Sequence, residues 1–136
     1  NDLEECEVRE YATPQEMLDD FGITGQLIPT EVPAEFGAPI CWASKDRSGL
    51  KLEILYENAG HYIFFWYKQI SKDNTADVEK NDQTISSWNY GGIKHYQLTD
   101  NEAEKVAWVN GDFECHASGN VAKEDMSQVI KSIYGG

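Results

Sequence analysis

The sequence predicts an α+β fold: an antiparallel meander sheet with an N-terminal and a C-terminal helix packed on one face. Three observations predict it. Runs alternating apolar and polar residues follow one another across short turns from Ile40 onward. Helical periodicity is confined to the two ends of the chain. The last third reads strand, tight turn, strand, helix.

Residues 1–20 hold eight acidic side chains against one base, Arg9, and residues 1–12 read as a solvated acidic tether leading into a single domain over 13–136. Thr13-Pro14-Gln15-Glu16 is a capping-box pattern that opens a short helix through Phe21, with Gly22 as its stop. Ile23 to Pro39 contains three of the four prolines and reads as an extended, irregular connection. Ile40 to Lys45 reads as a strand. Leu50, Leu52, Ile54 and Tyr56 alternate with Lys51, Glu53 and Glu57, as in a strand with one dry and one wet face.

Asn58-Ala59-Gly60 turns the chain into His61 to Ser71, apolar on both sides at its centre and read as the buried middle strand. Lys72 to Asp82 is polar and turn-rich. Gln83 to Trp88 and Ile93 to Leu98, split by Tyr90-Gly91-Gly92, read as two shorter strands. Ala103 to Val109 and Asp112 to Ala117 flank Asn110-Gly111, a strong hairpin signal because a type I′ turn needs positive φ at both central residues. That turn places Val109 opposite Asp112, Trp108 opposite Phe113 and Val106 opposite Cys115. Met126, Val129, Ile130 and Ile133 then form one apolar stripe on a helix over residues 122–133, able to cover the ribbon.

At 136 residues, with 40% apolar content, the chain is long enough for one packed core. Its net charge of −13, from 24 acids against 11 bases, argues against nucleic-acid binding and against docking on an anionic membrane by charge alone. No apolar run approaches the length of a membrane span. The chain begins at Asn1 inside an acidic stretch, as a mature or truncated form would. Three cysteines are too few for a disulfide scaffold and lack zinc-site spacing; a Cys41–Cys115 bridge and three unlinked thiols both remain open.

Candidate chemistry is sparse. Cys115 and His116 are adjacent on a strand, so they point to opposite faces, and only His95 or His61 could serve the thiol as a base. Asp73, Asp77, Glu79 and Asp82 gather in one loop without the ligand periodicity of an EF-hand, and read as solvated. No catalytic residue, cofactor or metal ligand is assigned, and the reading is non-enzymatic. Trp66 and Trp108 are expected inside the core. Trp88-Asn89-Tyr90-Gly91-Gly92 is the most ligand-like element, and Trp88, Tyr90, Asp77 and Glu79 are the candidate contacts to a partner.

One resemblance adds to this. Ala107 to Phe113, Ser118-Gly119 and the helix ending Ile130-Lys131-Ser132-Ile133 are similar to a family of bacterial extracytoplasmic domains of unknown function. So are the segment Leu27 to Gly37, with Pro29, Pro33 and Phe36, and the hairpin Ile54 to Gln69. The likeness covers roughly residues 22–134. Such domains lie C-terminal to a single membrane span in Gram-positive proteins, many of them anti-sigma-like.

The chain departs from the pattern at Ala122, where a Ser or Thr cap is usual, and in its cysteines. The resemblance implies a non-enzymatic sensor or interaction domain on the outer face of the membrane, reached through an N-terminal anchor. Its partner would be a protein or cell-envelope ligand, basic to suit so acidic a surface. The alternatives are a secreted small-ligand or carbohydrate-binding module, using Trp88, Tyr90 and Trp42 as a platform, and a secreted enzyme or inhibitor.

Overall fold

The computed structural model describes residues 3–70, 85–100 and 102–135. Among these residues, eight strands form a single antiparallel sheet: β1 (Val8–Tyr11), β2 (Ile40–Asp46), β3 (Gly49–Asn58), β4 (His61–Gln69), β5 (Ile85–Tyr90), β6 (Ile93–Thr99), β7 (Glu104–Asn110) and β8 (Phe113–Gly119). Helix α1 (Pro14–Asp20) lies between β1 and β2, and α2 (Lys123–Lys131) follows β8, running on into a 3₁₀ turn over Ser132–Tyr134. Among the described residues no helix is long and apolar enough to cross a membrane.

The sheet is not one continuous meander. Its order is β1-β2-β3-β4-β8-β7-β6-β5, two four-stranded meanders joined where β4 pairs with β8. The pairing has a steric logic. Large side chains of β4 face small partners on β8: Ile63 opposite Gly119, Phe65 opposite Ala117, and Tyr67 opposite Cys115. A Cβ on Gly119 would sit 2.6 Å from the Tyr62 carbonyl oxygen, so only glycine allows this approach.

Tight turns set the registers. Ala59 and Gly60 both take positive φ between β3 and β4, as do Gly91 and Gly92 between β5 and β6. The β7–β8 turn differs from the sequence expectation. Asn110 pairs with Phe113, Trp108 with Cys115 and Val106 with Ala117, so the turn is Gly111-Asp112 rather than Asn110-Gly111. Only Gly111 takes positive φ there (59°), which suits a turn with glycine first. Asn110 instead donates its side-chain amide to the Gln26 carbonyl at 2.7 Å. The shift is by two positions in the pairing, so every side chain keeps its face.

Two further expectations are corrected. Residues 8–11, read as tether, form β1, with Val8 to Tyr11 opposite Ser44 to Cys41. Arg9 and Tyr11 both bond the Asp20 carboxylate, tying this edge to α1, and Leu3 is buried in the core. The acidic pattern concealed the strand because Arg9, its one base, finds its carboxylate partner on α1. Trp66, expected inside, lies on the other face from Phe65 and Tyr67 and is only half-buried.

The core is built on the first face. Cys41, Ile54, Phe65, Ala117 and Val106 form one row across five strands, and Ala43, Leu52, Tyr67, Cys115 and Trp108 the next. Met17 and Leu18 of α1, and Met126, Val129 and Ile130 of α2, join the same hydrophobic cluster, with Ile133 beyond them. Thr13 caps α1, its hydroxyl accepting from the Glu16 amide at 3.1 Å, whereas Ala122 offers α2 no side-chain cap. The segment before β2 is pinned to the C-terminus by Ser132, whose hydroxyl accepts from the amides of Thr30 and Glu31.

Candidate functional site

The second face of the sheet carries a different chemistry. One row runs Trp42, Glu53, Trp66, His116, Ala107, Tyr96, and its neighbour runs Ile40, Leu55, Phe64, Ser118, Lys105, Leu98, Ile85. Both follow from strict alternation: residues beside each core position must point the other way. None of these side chains is fully buried. Among the described residues, every large hydrophobic one that stands out as exposed lies here as well: Val8 (63%), Ile40 (48%) and Val109 (38%).

The rings on this face are held in place. His116 stacks on Trp66 with ring centroids 3.8 Å apart and planes 10° from parallel. The Lys51 ammonium stands 5.0 Å from the Trp66 ring centre. His116 Nε2 meets the Glu114 carboxylate at 2.9 Å. Burial pushes the imidazole pKa down, opposed by the bond to Glu114. Trp42 stacks against Phe64 at 6.3 Å and donates its indole N–H to Glu53 at 2.9 Å. Lys94 lies over the Tyr96 ring at 5.4 Å. Between these groups a groove of about 280 Å³ is lined by Trp66, Ile85, Tyr96, Leu98, Lys105, Ala107, His116 and Ser118, with Val106 and Ala117 completing it. It is apolar in its body and carries Lys105 and His116 as polar handles, the usual make-up of a recognition site.

The candidates named from the sequence fall elsewhere. Asp77 and Glu79 lie outside the described residues. Trp88 and Tyr90 sit at the β5 edge with their side chains on the first face. Trp88 stacks on His95 at 4.2 Å, gives its indole N–H to Gln97 at 2.8 Å and has the Lys131 ammonium 5.6 Å from its ring. Tyr90 packs near Tyr134, also beside Lys131. Trp42, on β2 and on the opposite face, cannot join them in one platform.

The thiol and the imidazole of the core, Cys115 and His95, are held neutral and share no hydrogen bond. Cys115 is fully buried, its thiol pKa pushed up by desolvation, and it shares no hydrogen bond with a histidine. His95 is fully buried, with Nε2 2.8 Å from the Tyr134 hydroxyl, and burial pushes its pKa down to about 4. Gln97 and Thr99 both donate to Glu104, which closes a buried polar chain under α2. His95 Nδ1 and Trp108 Nε1 are buried without a hydrogen-bond partner among the described residues. All three cysteines are free thiols. Cys41 on β2 and Cys115 on β8 are three strands apart, on the order of 14 Å at ordinary strand spacing, beyond disulfide reach. Among the described residues no three His, Cys, Asp or Glu side chains gather closely enough to hold a metal ion.

Sequence reasoning missed the groove because its members come from five strands and are contiguous only in the folded sheet. The alternation of β4 was a usable signal: with Ile63, Phe65 and Tyr67 inward, Phe64 and Trp66 had to face out. No protein-family model, curated protein or solved structure matches the chain.

Proposed function

We propose that this chain is a non-enzymatic interaction domain on the outer side of a bacterial membrane, held there by an N-terminal anchor and linked to sigma-factor regulation. Both helices pack on the first face of the sheet, and the second face receives the partner. The observation that carries the reading is the groove between Trp66 and Ile85, where Trp66 is stacked by His116 and approached by the Lys51 ammonium before any ligand arrives. Such preorganisation lowers the ordering cost of binding. The extracytoplasmic setting and the regulatory link rest on the resemblance of residues 22–134.

The state of the buried groups supports binding over catalysis. A buried thiol held protonated is a poor nucleophile, and a buried imidazole whose pKa is pushed down to about 4, with Nε2 engaged by Tyr134, is a weak base. With a net charge of −13, the chain favours a partner carrying basic residues beside an apolar or aromatic anchor, and the association rate falls as salt is raised.

The test is selection of binders from a random peptide display library on the wild-type chain, followed by binding to two folded variants. Leu98→Asp places a charge in the groove, and Glu124→Lys changes the exposed start of α2. Selected peptides should combine aromatic and basic residues, lose binding to Leu98→Asp and keep it to Glu124→Lys. Peptides that bind Leu98→Asp as well as wild type would overturn the assignment of the groove.

A further inference from the structure

The two edges of the sheet are built differently. β1 is four residues long, contains Arg9 and Glu10, and is tied to α1 through Asp20. Short length and charge are the ordinary means by which a sheet edge is protected from pairing with another chain. β5, Ile85-Ser86-Ser87-Trp88-Asn89-Tyr90, has none of them. Its six residues include no charge and no proline, although 26% of the chain is charged. It pairs one-for-one with β6 from Ile85 to Tyr90, so no bulge twists it away. Ser86, Ser87 and Asn89 are exposed, and among the described residues no strand pairs with its outer side.

We propose that β5 is a dimerisation edge, pairing antiparallel with β5 of a second copy about a twofold axis through Ser87 and normal to the sheet. The geometry restricts the choice. Residues directly opposite in an antiparallel pair share a face, so an axis normal to the sheet must pass through a residue position. Centring on Ser87 sets Ser86 beside Trp88 of the second copy and Ile85 beside its Asn89, small against large on one face and apolar against uncharged polar on the other. Centring on Trp88 would instead bring the two Lys131 ammonium groups, each over its own Trp88 ring, towards the axis. No charge on β5 is desolvated in the Ser87-centred register.

The dimer joins two eight-stranded sheets into one and turns both second faces to the same side. Ile85 lines the end of the groove, so Asn89 of the second copy becomes its neighbouring wall. The opposing force is long-range repulsion between two chains of charge −13, which salt screens. Dimerisation therefore tightens as salt is raised, the reverse of the dependence expected for a basic partner.

Sedimentation equilibrium of the 136-residue chain, from about 1 to about 200 µM at low and high sodium chloride, needs no ligand and stands apart from the test of the groove. A reversible monomer–dimer equilibrium, tighter at high salt, is expected. Ser87→Lys sets two like charges opposite each other and should weaken association about tenfold or more, with an unchanged circular dichroism spectrum. Ser87→Cys in a Cys6→Ser background should form a disulfide-linked dimer on mild oxidation, which reports the register directly. A chain monomeric throughout would overturn the proposal. So would a dimer that resists Ser87→Lys but dissociates on Leu98→Asp, because that dimer would be face to face.

Discussion

Trp66 on β4 and Trp108 on β7 flank the same strand, β8, and point to opposite faces of the sheet, and their surroundings have little in common. Trp108 is fully buried, with the buried His95 ring 5.3 Å away. Trp66 is half-exposed, stacked by His116 and approached by the Lys51 ammonium. The first face has exchanged water for packing across its centre. The second has kept apolar surface in contact with water and organised it with stacking and ion pairs instead. Large apolar surface left wet yields little folding energy, so a reason other than stability is needed for keeping it there.

The contrast predicts unequal costs for equal chemistry. Trp108→Ala should lose about 3–5 kcal/mol in urea unfolding, a large share of a small domain's stability, and Trp66→Ala about 1 kcal/mol. Losses of similar size would mean that the two faces are equally structural.

His95 sharpens the same comparison through pH. Its folded pKa, about 4, lies below the ordinary value of 6.5, so the unfolded chain binds the extra proton first. The stabilisation is fully present above about pH 6.5 and is lost as pH falls towards 4, on the order of 2–3 kcal/mol in all. His95→Phe should flatten the decline of urea stability between pH 6.5 and 4.5. An unchanged decline would show that this histidine is not the group being protonated. A smaller effect is expected at the seam between the two meanders. Gly119→Ala drives a methyl onto the Tyr62 carbonyl and should cost about 1–3 kcal/mol, read as a lower melting temperature.

Much of the first face was legible in the sequence, for a physical reason. Alternation assigns faces whatever the turn, so Val106, Trp108, Phe113 and Cys115 were placed together correctly even though the β7–β8 turn uses Gly111-Asp112. The stripe of Met126, Val129, Ile130 and Ile133 was equally plain, and all four are buried. What escaped depends on distant partners. The β4–β8 pairing unites residues about fifty positions apart and leaves no local mark. β1 was masked by the acidic run around it, and the partners of its Arg9, Glu7 and Asp20, come together only in space. The groove escaped because Trp66 was credited to the core, and because Trp88 and Tyr90, the most ligand-like residues in the sequence, use their rings to cover His95 and meet Tyr134.

The central claim is that one face of the sheet holds the fold together and the other is free to bind. Strand β7 tests it most directly, because Val106 (2% exposed) and Val109 (38% exposed) share one strand and one side chain but opposite faces. Urea unfolding of Val106→Asp and Val109→Asp at neutral pH compares them with identical chemistry. The account predicts a loss above about 3 kcal/mol for Val106→Asp, where a charge enters the core, and about 1 kcal/mol or less for Val109→Asp, whose carboxylate meets only the half-buried Glu114 opposite it. Comparable losses at the two positions would contradict it.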